Sequence, residues 1–255
     1  MPAIRSFAKS CAVLLLGQES KPRNIVRGLA AGYQMSVSPA ENLGYLLGTY
    51  EPHLQKTIKE YVAKGETVYD VGANVGYVSL LLAKRVGPSG RIVAFEPVPQ
   101  NIDSFRENIK LNRLGNVELF ECAASDKSGY AVIRIAESLS TASLVWHRKH
   151  HPSTELVIRT VSVDELVESG DVALPTFVKI DVEGAEGGVL LGMRRTVAAA
   201  RPVLFVECSE ASRETVWYLL RELGYRCQSA ISRQWVDRFE DYYHSDFLWL
   251  PGHRG

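Results

Sequence analysis

The chain has 255 residues, of which 46% are hydrophobic and 23% are charged, a composition typical of a globular domain. Lysine plus arginine and aspartate plus glutamate balance at 29 each, so no overall positive charge favours binding to a polyanion such as nucleic acid. A chain of this length predicts one large domain with a small accessory segment.

The cysteines and the N-terminus indicate an intracellular protein without a membrane span. The four cysteines are widely spaced and form no C-x-x-C pair, so no zinc module or disulfide framework is predicted for Cys11, Cys122, Cys208 and Cys227. We expect small buried thiols in a reducing, cytoplasmic compartment. The apolar run at 11–16 imitates a signal peptide but is short and lacks an A-x-A cleavage site, so it predicts a packing helix.

Residues 1–60 predict the accessory segment, which is expected to be helical. A helix is predicted within 24–33 and another over 51–62, with a loop over 36–48, where one proline and two glycines interrupt the pattern. The segment could be a lid over a pocket or a layer that covers the sheet, and the packing layer is the favoured interpretation.

Strands and helices alternate through the remaining domain, residues 61–255. Strands are predicted at 68–69, 91–95, 117–120, 176–181 and 202–207, and helices at 77–85, 101–112, 184–200 and 214–223. This alternation indicates right-handed βαβ units and a mostly parallel sheet, to which residues 225–250 add the last antiparallel strands. Strands at 130–135 and 156–163 flank a polar stretch, which predicts an inserted hairpin or loop at about 128–163 that borders a substrate site.

The turn after the first strand, DVGANVG at 70–76, is typical of a ligand cradle. Ligands of open α/β sheets bind beyond the carboxyl ends of the strands, and Gly72 and Gly76 allow the backbone to approach them closely. The turn lacks the three-glycine pattern of dinucleotide folds, which disfavours NAD or FAD and favours a nucleoside cofactor without phosphates.

Four predicted strands end on acids, namely Asp70, Glu96, Asp181 and Glu207. Their shared position predicts that they surround one crevice, where they meet ligand hydroxyls, a cation or backbone donors. Glu96, after the second strand, is expected to accept the hydroxyls of a ribose. The alternative is that it caps the helix that follows Pro97.

Four segments together resemble a known family: DVGANVG at 70–76, FEP at 95–97, ASD at 124–126 and VKIDVEGAE at 178–186. In this order, over about residues 66–207, the chain resembles the FkbM-type S-adenosylmethionine-dependent methyltransferases. The resemblance implies the Rossmann-like class I methyltransferase fold, an α/β three-layer sandwich with a seven-stranded, mostly parallel sheet whose last strand is antiparallel.

The resemblance also implies a role for each site residue. Asp70, Gly72, Asn74 and Gly76 would cradle the methionine part of S-adenosylmethionine, and Glu96 would hold its ribose. Cys122, Ala123 and Ala124, with Asp126, would flank the adenine, and Asp181 would face the methyl group and the acceptor. Ser209 stands where members of the family often carry a histidine, so any role of that histidine is in doubt in this chain.

A hydroxyl acceptor needs a base or a metal ion, and the candidate catalytic residues are Asp181, Lys179, Glu207 and His147. Lys179 is expected either to form a structural ion pair or to act as a lysine with a lowered pKa or as a cation that holds the acceptor. Asp181 and Glu207 could share a divalent ion, although their spacing does not require one. His147, His150 and His151 lie in the inserted segment and belong either to a loop over the acceptor or to a solvated basic loop.

The leading hypothesis is an O-methyltransferase that acts on a sugar or another small hydroxylated or glycosylated metabolite. An RNA ribose 2′-O-methyltransferase is disfavoured by the zero net charge and the missing RNA-binding module. A NAD-dependent oxidoreductase is disfavoured by the missing third glycine, and a cofactor-binding scaffold without catalysis is a further alternative. A homo-oligomer is compatible with the sequence.

Overall fold

The structure, a computed structural model, describes residues 19–136, 153–242 and 246–252. The predicted packing helix at 11–16 and the predicted loop histidines, His147, His150 and His151, lie outside the described residues. Within the described part of the chain, no helix is both long enough and apolar enough to cross a membrane.

The central sheet has eight strands in the order β5-β4-β3-β9-β10-β13-β11-β12. These are β3 (Thr67–Val71), β4 (Arg91–Phe95), β5 (Val117–Phe120), β9 (Phe177–Ile180), β10 (Val203–Glu207), β11 (Tyr225–Ser229), β12 (Trp235–Val236) and β13 (Asp246–Pro251). The first five in this spatial order are parallel to one another, and β13 runs antiparallel between β10 and β11.

This topology confirms the class I methyltransferase fold expected from the resemblance. The prediction of seven strands needs one addition, because the two-residue strand β12 pairs antiparallel with β11 at the sheet edge. A strand of two residues carries no periodic pattern, which explains why the sequence did not predict it.

Helices cover both faces of the sheet. They are α1 (Pro39–Leu47), α2 (Pro52–Tyr61), α3 (Tyr77–Val86), α4 (Pro99–Leu111), α5 (Val163–Ser169), α6 (Glu186–Gly192), α7 (Arg194–Ala200) and α8 (Arg213–Glu222), with a short 3₁₀ turn at Phe239–Asp241. Two helices were predicted imperfectly. The sequence missed α5, and the single helix expected over 184–200 divides into α6 and α7 at Met193.

The N-terminal segment packs on one face of the sheet, although its local structure differs from the prediction. The helix predicted within 24–33 is wrong, because β1 (Lys21–Asn24) and β2 (Gln34–Val37) form an antiparallel hairpin there. Its loop contains Gly28 and Gly32 at φ 81° and 86°, values that disfavour a helix. The loop predicted over 36–48 is wrong over most of its length, because Pro39 begins α1, which is kinked at Asn42 (φ −146°, ψ 85°).

The apolar residues of the segment explain its position. Ile25, Met35, Leu54 and Ile58 are fully buried and belong to one core cluster with Phe205 of β10. The burial of these side chains supports a packing layer.

The predicted insertion is present as an antiparallel pair of long strands, β7 (Gly129–Ala136) and β8 (Ser153–Val161). The short strand β6 (Ala123–Ala124) pairs with β8, so the three strands form a second sheet. Ile133 of β7 and Ile158 of β8 pack together with Val98 in a separate cluster. This cluster fixes the hairpin beside the carboxyl ends of β4 and β5.

Candidate active site

A cavity opens at the carboxyl ends of β3, β4, β9 and β10, where the sequence predicted the crevice. Its acidic lining consists of Glu96, Asp181, Glu183 and Glu207. The glycine turn and the loop after β9 form its floor, and the insertion and the N-terminal segment form two walls. Of the residues predicted to bind cofactor, Gly72, Asn74, Glu96, Ala123, Ala124 and Asp181 line the cavity, whereas Asp70, Gly76, Cys122 and Asp126 do not.

Gly72 is required where the glycine turn meets the loop after β9. It has φ 80°, and a Cβ atom at this position would lie 1.8 Å from the backbone oxygen of Asp181. The backbone N–H groups of Gly72 and Ala73 both donate to the carbonyl of Phe95, at 3.1 and 3.0 Å. The turn is thereby fixed between β4 and the loop that carries Asp181.

Gly76 packs away from the cavity. A Cβ atom there would lie 2.9 Å from the ring of Phe105 on α4. Gly76 therefore allows α3 and α4 to approach each other, on the side of the turn that faces away from the cavity.

Glu96 follows β4 and is fixed by three hydrogen bonds. Its Oε2 accepts from the backbone N–H of Asn74 at 2.9 Å, and its Oε1 accepts from the N–H of Val98 and from Nδ2 of Asn101, both at 3.0 Å. Burial raises the pKa of Glu96 above its ordinary value, although these three donors oppose the shift. The carboxylate holds the start of α4, as the capping alternative expected, and it also faces the cavity.

Asp70 and Lys179 lie next to each other across β3 and β9, on the same face of the sheet. The Lys179 ammonium donates to Asp181 Oδ2 at 3.0 Å and to the carbonyl of Gly72 at 3.2 Å, and it lies 3.9 Å from Asp70 Oδ1. The second oxygen of Asp70 accepts from the hydroxyl of Ser79 at 2.6 Å. Lys179 is 4% exposed, so its three donors point at protein groups rather than at the cavity.

The expectation of a lowered lysine pKa is wrong. Burial alone would lower the pKa of Lys179, but the charges of Asp181 and Asp70 and the hydrogen bond to Asp181 raise it above its ordinary value. The structural ion pair, the first of the three interpretations from the sequence, agrees with this geometry. The third, a cation that holds the acceptor, stays a prediction.

Acidic residues form a row across three neighbouring strands beyond this lysine. Glu207 at the end of β10 lies opposite Asp246 at the start of β13. On its other side, Asp181 follows Ile180, the last residue of β9, which pairs with Val206, the residue before Glu207. Neighbouring strands lie about 4.8 Å apart, so these charges repel one another.

The fourth acid, Glu51, comes from the N-terminal segment, at the residue before α2. It has φ 48°, and its pKa is raised to about 7, first by burial and then by the charges of Asp246 and Asp181. Burial, with the charges of Asp181, Asp246 and Glu51, raises the pKa of Glu207 to about 8. We name Glu51, Asp181, Glu207 and Asp246 the carboxylate row.

Metal binding by the row finds no support among the described residues. Within residues 19–136, 153–242 and 246–252, no three His, Cys, Asp or Glu side chains form a group that could hold a metal ion.

The N-terminal segment adds an aromatic wall that the sequence did not indicate. Tyr45 and Tyr50 line the cavity, and the Tyr45 ring stacks on Tyr77 of α3 with 4.6 Å between centroids. Gln55 fixes the loop by donating to the carbonyls of Tyr50 and Gly48, at 2.7 and 3.2 Å. The tyrosines and Glu51 lie before the glycine turn in sequence and show no recognisable spacing, so only the folded chain brings them to the site.

Comparison with known proteins identifies the family. Residues 70–227 match the family model of the methyltransferase FkbM domain. The chain belongs to the FkbM methyltransferase family. The match begins at Asp70 and ends at Cys227, so it contains the glycine turn, Glu96 and two of the four acids of the carboxylate row, Asp181 and Glu207. It excludes Tyr45, Tyr50, Glu51 and Asp246.

Two curated relatives and one crystal structure are similar to part of the chain. The chain is 30% identical over 165 residues to the hexuronic acid methyltransferase AglP of Haloferax volcanii, covering 60% of this chain and 61% of that one. It is 26% identical over 144 residues to methyltransferase 1 of Beauveria bassiana, covering 49% and 57%. The chain thus spans about six tenths of the length of these relatives. The crystal structure of methyltransferase FkbM from Methylobacillus flagellatus superimposes with a TM-score of 0.49 at 20% identity, over 72% of this chain and 43% of that one.

Proposed function

We propose that the protein is an S-adenosylmethionine-dependent O-methyltransferase that acts on a hydroxyl of a sugar or another small hydroxylated metabolite. The observation that carries this proposal is the Glu96 carboxylate, which three donors fix at the cavity wall after β4. A carboxylate at this place in an α/β sheet is suited to accept the two hydroxyls of a ribose.

Glu96, the glycine turn and apolar residues beside them are suited to bind the cofactor. Each oxygen of a carboxylate has two lone-pair sites, so Oε2 of Glu96, which accepts one protein donor, retains capacity for a ribose hydroxyl. Gly72 lines the cavity without a side chain, so the cofactor could contact its backbone there. The apolar side chains of Ala124, Ile133 and Ile158 would provide a flat, water-poor surface for the adenine.

Two further carboxylates that line the cavity, Asp181 and Glu207, are suited to bind the acceptor. When bound, S-adenosylmethionine supplies an electrophilic methyl group, which a hydroxyl oxygen takes up as the carbon–sulfur bond breaks and its electron pair stays on sulfur. Asp181 and Glu207 line the cavity and can orient the hydroxyl and accept its proton. With a pKa of about 8, Glu207 is mostly protonated at neutral pH, so it would accept the hydroxyl proton only in its deprotonated fraction.

The choice of a sugar acceptor is supported by one relative, whose name describes a methyltransferase of hexuronic acids. Acids and tyrosines line the same cavity, and this combination suits a polyhydroxylated ring because carboxylates accept hydroxyl hydrogen bonds and rings pack on C–H faces.

Methyl transfer from isotopically labelled S-adenosylmethionine to a panel of hexose glycosides tests this proposal. We expect the label in a methyl ether carbon, identified by NMR of the product. Label on nitrogen or carbon, or no transfer to any hydroxyl compound by protein that binds the cofactor, would contradict it.

A further inference from the structure

The N-terminal segment contributes three residues to the side of the cavity proposed for the acceptor. Asn42 and Tyr45 of α1 and Tyr50 of the loop before α2 line the same cavity as Asp181 and Glu207. Burial raises the pKa of Tyr50, and the charges of nearby groups, Asp181 and Glu207 among them, add to the shift. The phenol therefore lies close to the acids proposed to bind the acceptor, and it stays neutral at physiological pH.

The two tyrosine rings are held in place by a third, buried ring. Tyr77, the first residue of α3, is 2% exposed, and the Tyr45 ring stacks on it. Tyr50 meets Tyr45 and Tyr77 edge to face, with centroid distances of 4.6 and 5.7 Å. Because each ring contacts the other two, none can rotate freely, and the aromatic wall is already formed before a ligand binds.

A buried amide, Gln55 of α2, fixes the backbone behind this wall. Besides donating to the carbonyls of Tyr50 and Gly48, it accepts from the N–H of Leu29 in the hairpin loop at 2.9 Å. Its Nε2 also lies 3.4 Å from the hydroxyl of Tyr77. One side chain thus connects the hairpin, the aromatic wall and α3, and a wall fixed in this way loses little conformational freedom when a ligand binds.

A polar group stands beside the rings, at the kink in α1. The backbone of Asn42 is extended rather than helical, and its residue lines the cavity. Gly44 leaves room for its side chain, because a Cβ atom on Gly44 would lie 3.1 Å from Asn42 Oδ1. The amide offers both donors and an acceptor. Aromatic surface with a few placed polar groups is typical of a site for a small ring-shaped ligand.

We propose that Tyr45 and Asn42 select the acceptor: the tyrosine ring packs on the C–H face of a pyranose, and the amide hydrogen-bonds one of its hydroxyls. Cyclic acceptors are then preferred to the corresponding open-chain polyols. This inference rests on the proposed function, and it assigns the selection to residues that precede 70–227, the part of the chain that matches the family model.

Binding of neutral sugars to the whole protein, saturated with S-adenosylhomocysteine, tests this preference. The probes are the methyl pyranosides of glucose, galactose and mannose, and the corresponding open-chain hexitols. Ligand-observed NMR titrations should show at least one glycoside binding about tenfold or more tightly than its hexitol. An open chain presents no flat C–H face to a ring, and it loses more conformational freedom on binding.

Variants link the preference to the two residues. Tyr45→Ala should reduce the ratio of glycoside to hexitol affinity by at least about threefold, with affinity for S-adenosylhomocysteine within about twofold of the wild type. Tyr45→Phe keeps the ring and should keep the ratio. Asn42→Ala should weaken glycoside binding by about three- to tenfold. The control, Tyr218→Ala, removes a 57% exposed ring of α8 that stacks on Phe239, and it should change neither affinity.

The outcomes separate this inference from the proposed function. Hexitols that bind as tightly as the glycosides, or a ratio that Tyr45→Ala leaves unchanged, would overturn the selection by the aromatic wall. Protein that binds S-adenosylhomocysteine but none of the glycosides would also overturn it, and would leave the proposed cofactor intact. Protein that binds no S-adenosylhomocysteine would overturn the proposed function, and this inference with it.

Discussion

Replacement of Glu96 by glutamine separates the two roles of this carboxylate, which holds the start of α4 and is proposed to bind the ribose of the cofactor. The amide keeps the shape but has a single carbonyl oxygen, whereas Glu96 uses both oxygens to accept from Asn74, Val98 and Asn101. If the carbonyl takes the place of Oε1, the amide NH₂ faces the N–H of Asn74. One hydrogen bond to a charged acceptor is then lost and two donors face each other.

The expected cost follows from that lost hydrogen bond. A hydrogen bond to a charged group contributes about 1.5–3 kcal/mol. Because Asn74 belongs to the glycine turn, and because the ribose loses its anionic acceptor, we expect the affinity for S-adenosylhomocysteine to fall by about 10–100-fold. Folding stability should change less, since glutamine removes the burial cost that raises the pKa of Glu96.

Calorimetric titration of Glu96→Gln with S-adenosylhomocysteine measures this effect, and thermal unfolding of the same variant measures stability. Glu118→Gln is a matched control, because Glu118 is a partly exposed acid on β5 that pairs with Arg91 and lies outside the cavity. If Glu96→Gln bound within about twofold of the wild type while its melting temperature fell, Glu96 would be a helix cap alone and the assigned role in cofactor binding would be refuted.

Three further predictions address the rest of the site. Gly72→Ala should lower the free energy of unfolding by at least about 3 kcal/mol, because the new Cβ would meet the Asp181 carbonyl. The control, Gly170→Ala, is also at positive φ but in open space and should cost about 1–2 kcal/mol. Equal costs for the two variants in denaturant titrations would refute the close approach at Gly72. Glu207 has a folded pKa of about 8 against an ordinary 4.5, so its contribution to wild-type stability should fall as the pH rises from about 4.5 to 8, by at most about 1.4 kcal/mol per pH unit. Glu207→Gln should lack this contribution and lose stability less steeply over that range, and parallel pH profiles for the two proteins would contradict the raised pKa. Asp181→Asn should bind S-adenosylhomocysteine within about threefold of the wild type and lower kcat by about 100-fold or more, and full activity would exclude Asp181 from the acceptor side.

The sequence predicted the central sheet and the glycine turn because both depend on local patterns. Apolar runs that end on acids predicted β3, β4, β9 and β10 within one or two residues. The position of Glu96 after β4 follows from the same pattern, since the residue after a parallel strand must lie at the carboxyl edge of the sheet.

The N-terminal segment was predicted poorly because its structure depends on tertiary contacts. The hairpin of β1 and β2 contacts α4 and the residue that follows it. Asn108 of α4 accepts from the N–H of Ser36 at 2.7 Å, and Asn112, directly after α4, accepts from the N–H of Gln34 at 2.7 Å. Such long-range hydrogen bonds have no signature in a helix or strand period.

Only part of the acceptor side was predicted, because the rest of it also depends on tertiary contacts. Glu207 ends β10 and Asp181 directly follows β9, the adjacent parallel strand, and sequence order identified both. Asp246 joins them only through the antiparallel register of β13, and Glu51 only through packing of the N-terminal segment. The charge of the acceptor site is thus a property of the folded chain.

Calorimetric titration of the wild-type protein with S-adenosylmethionine and, separately, with NAD tests the central claim most directly. We predict saturable one-to-one binding of S-adenosylmethionine, competed by S-adenosylhomocysteine, and no heat of binding with NAD. Saturable binding of NAD together with no response to S-adenosylmethionine would contradict the account.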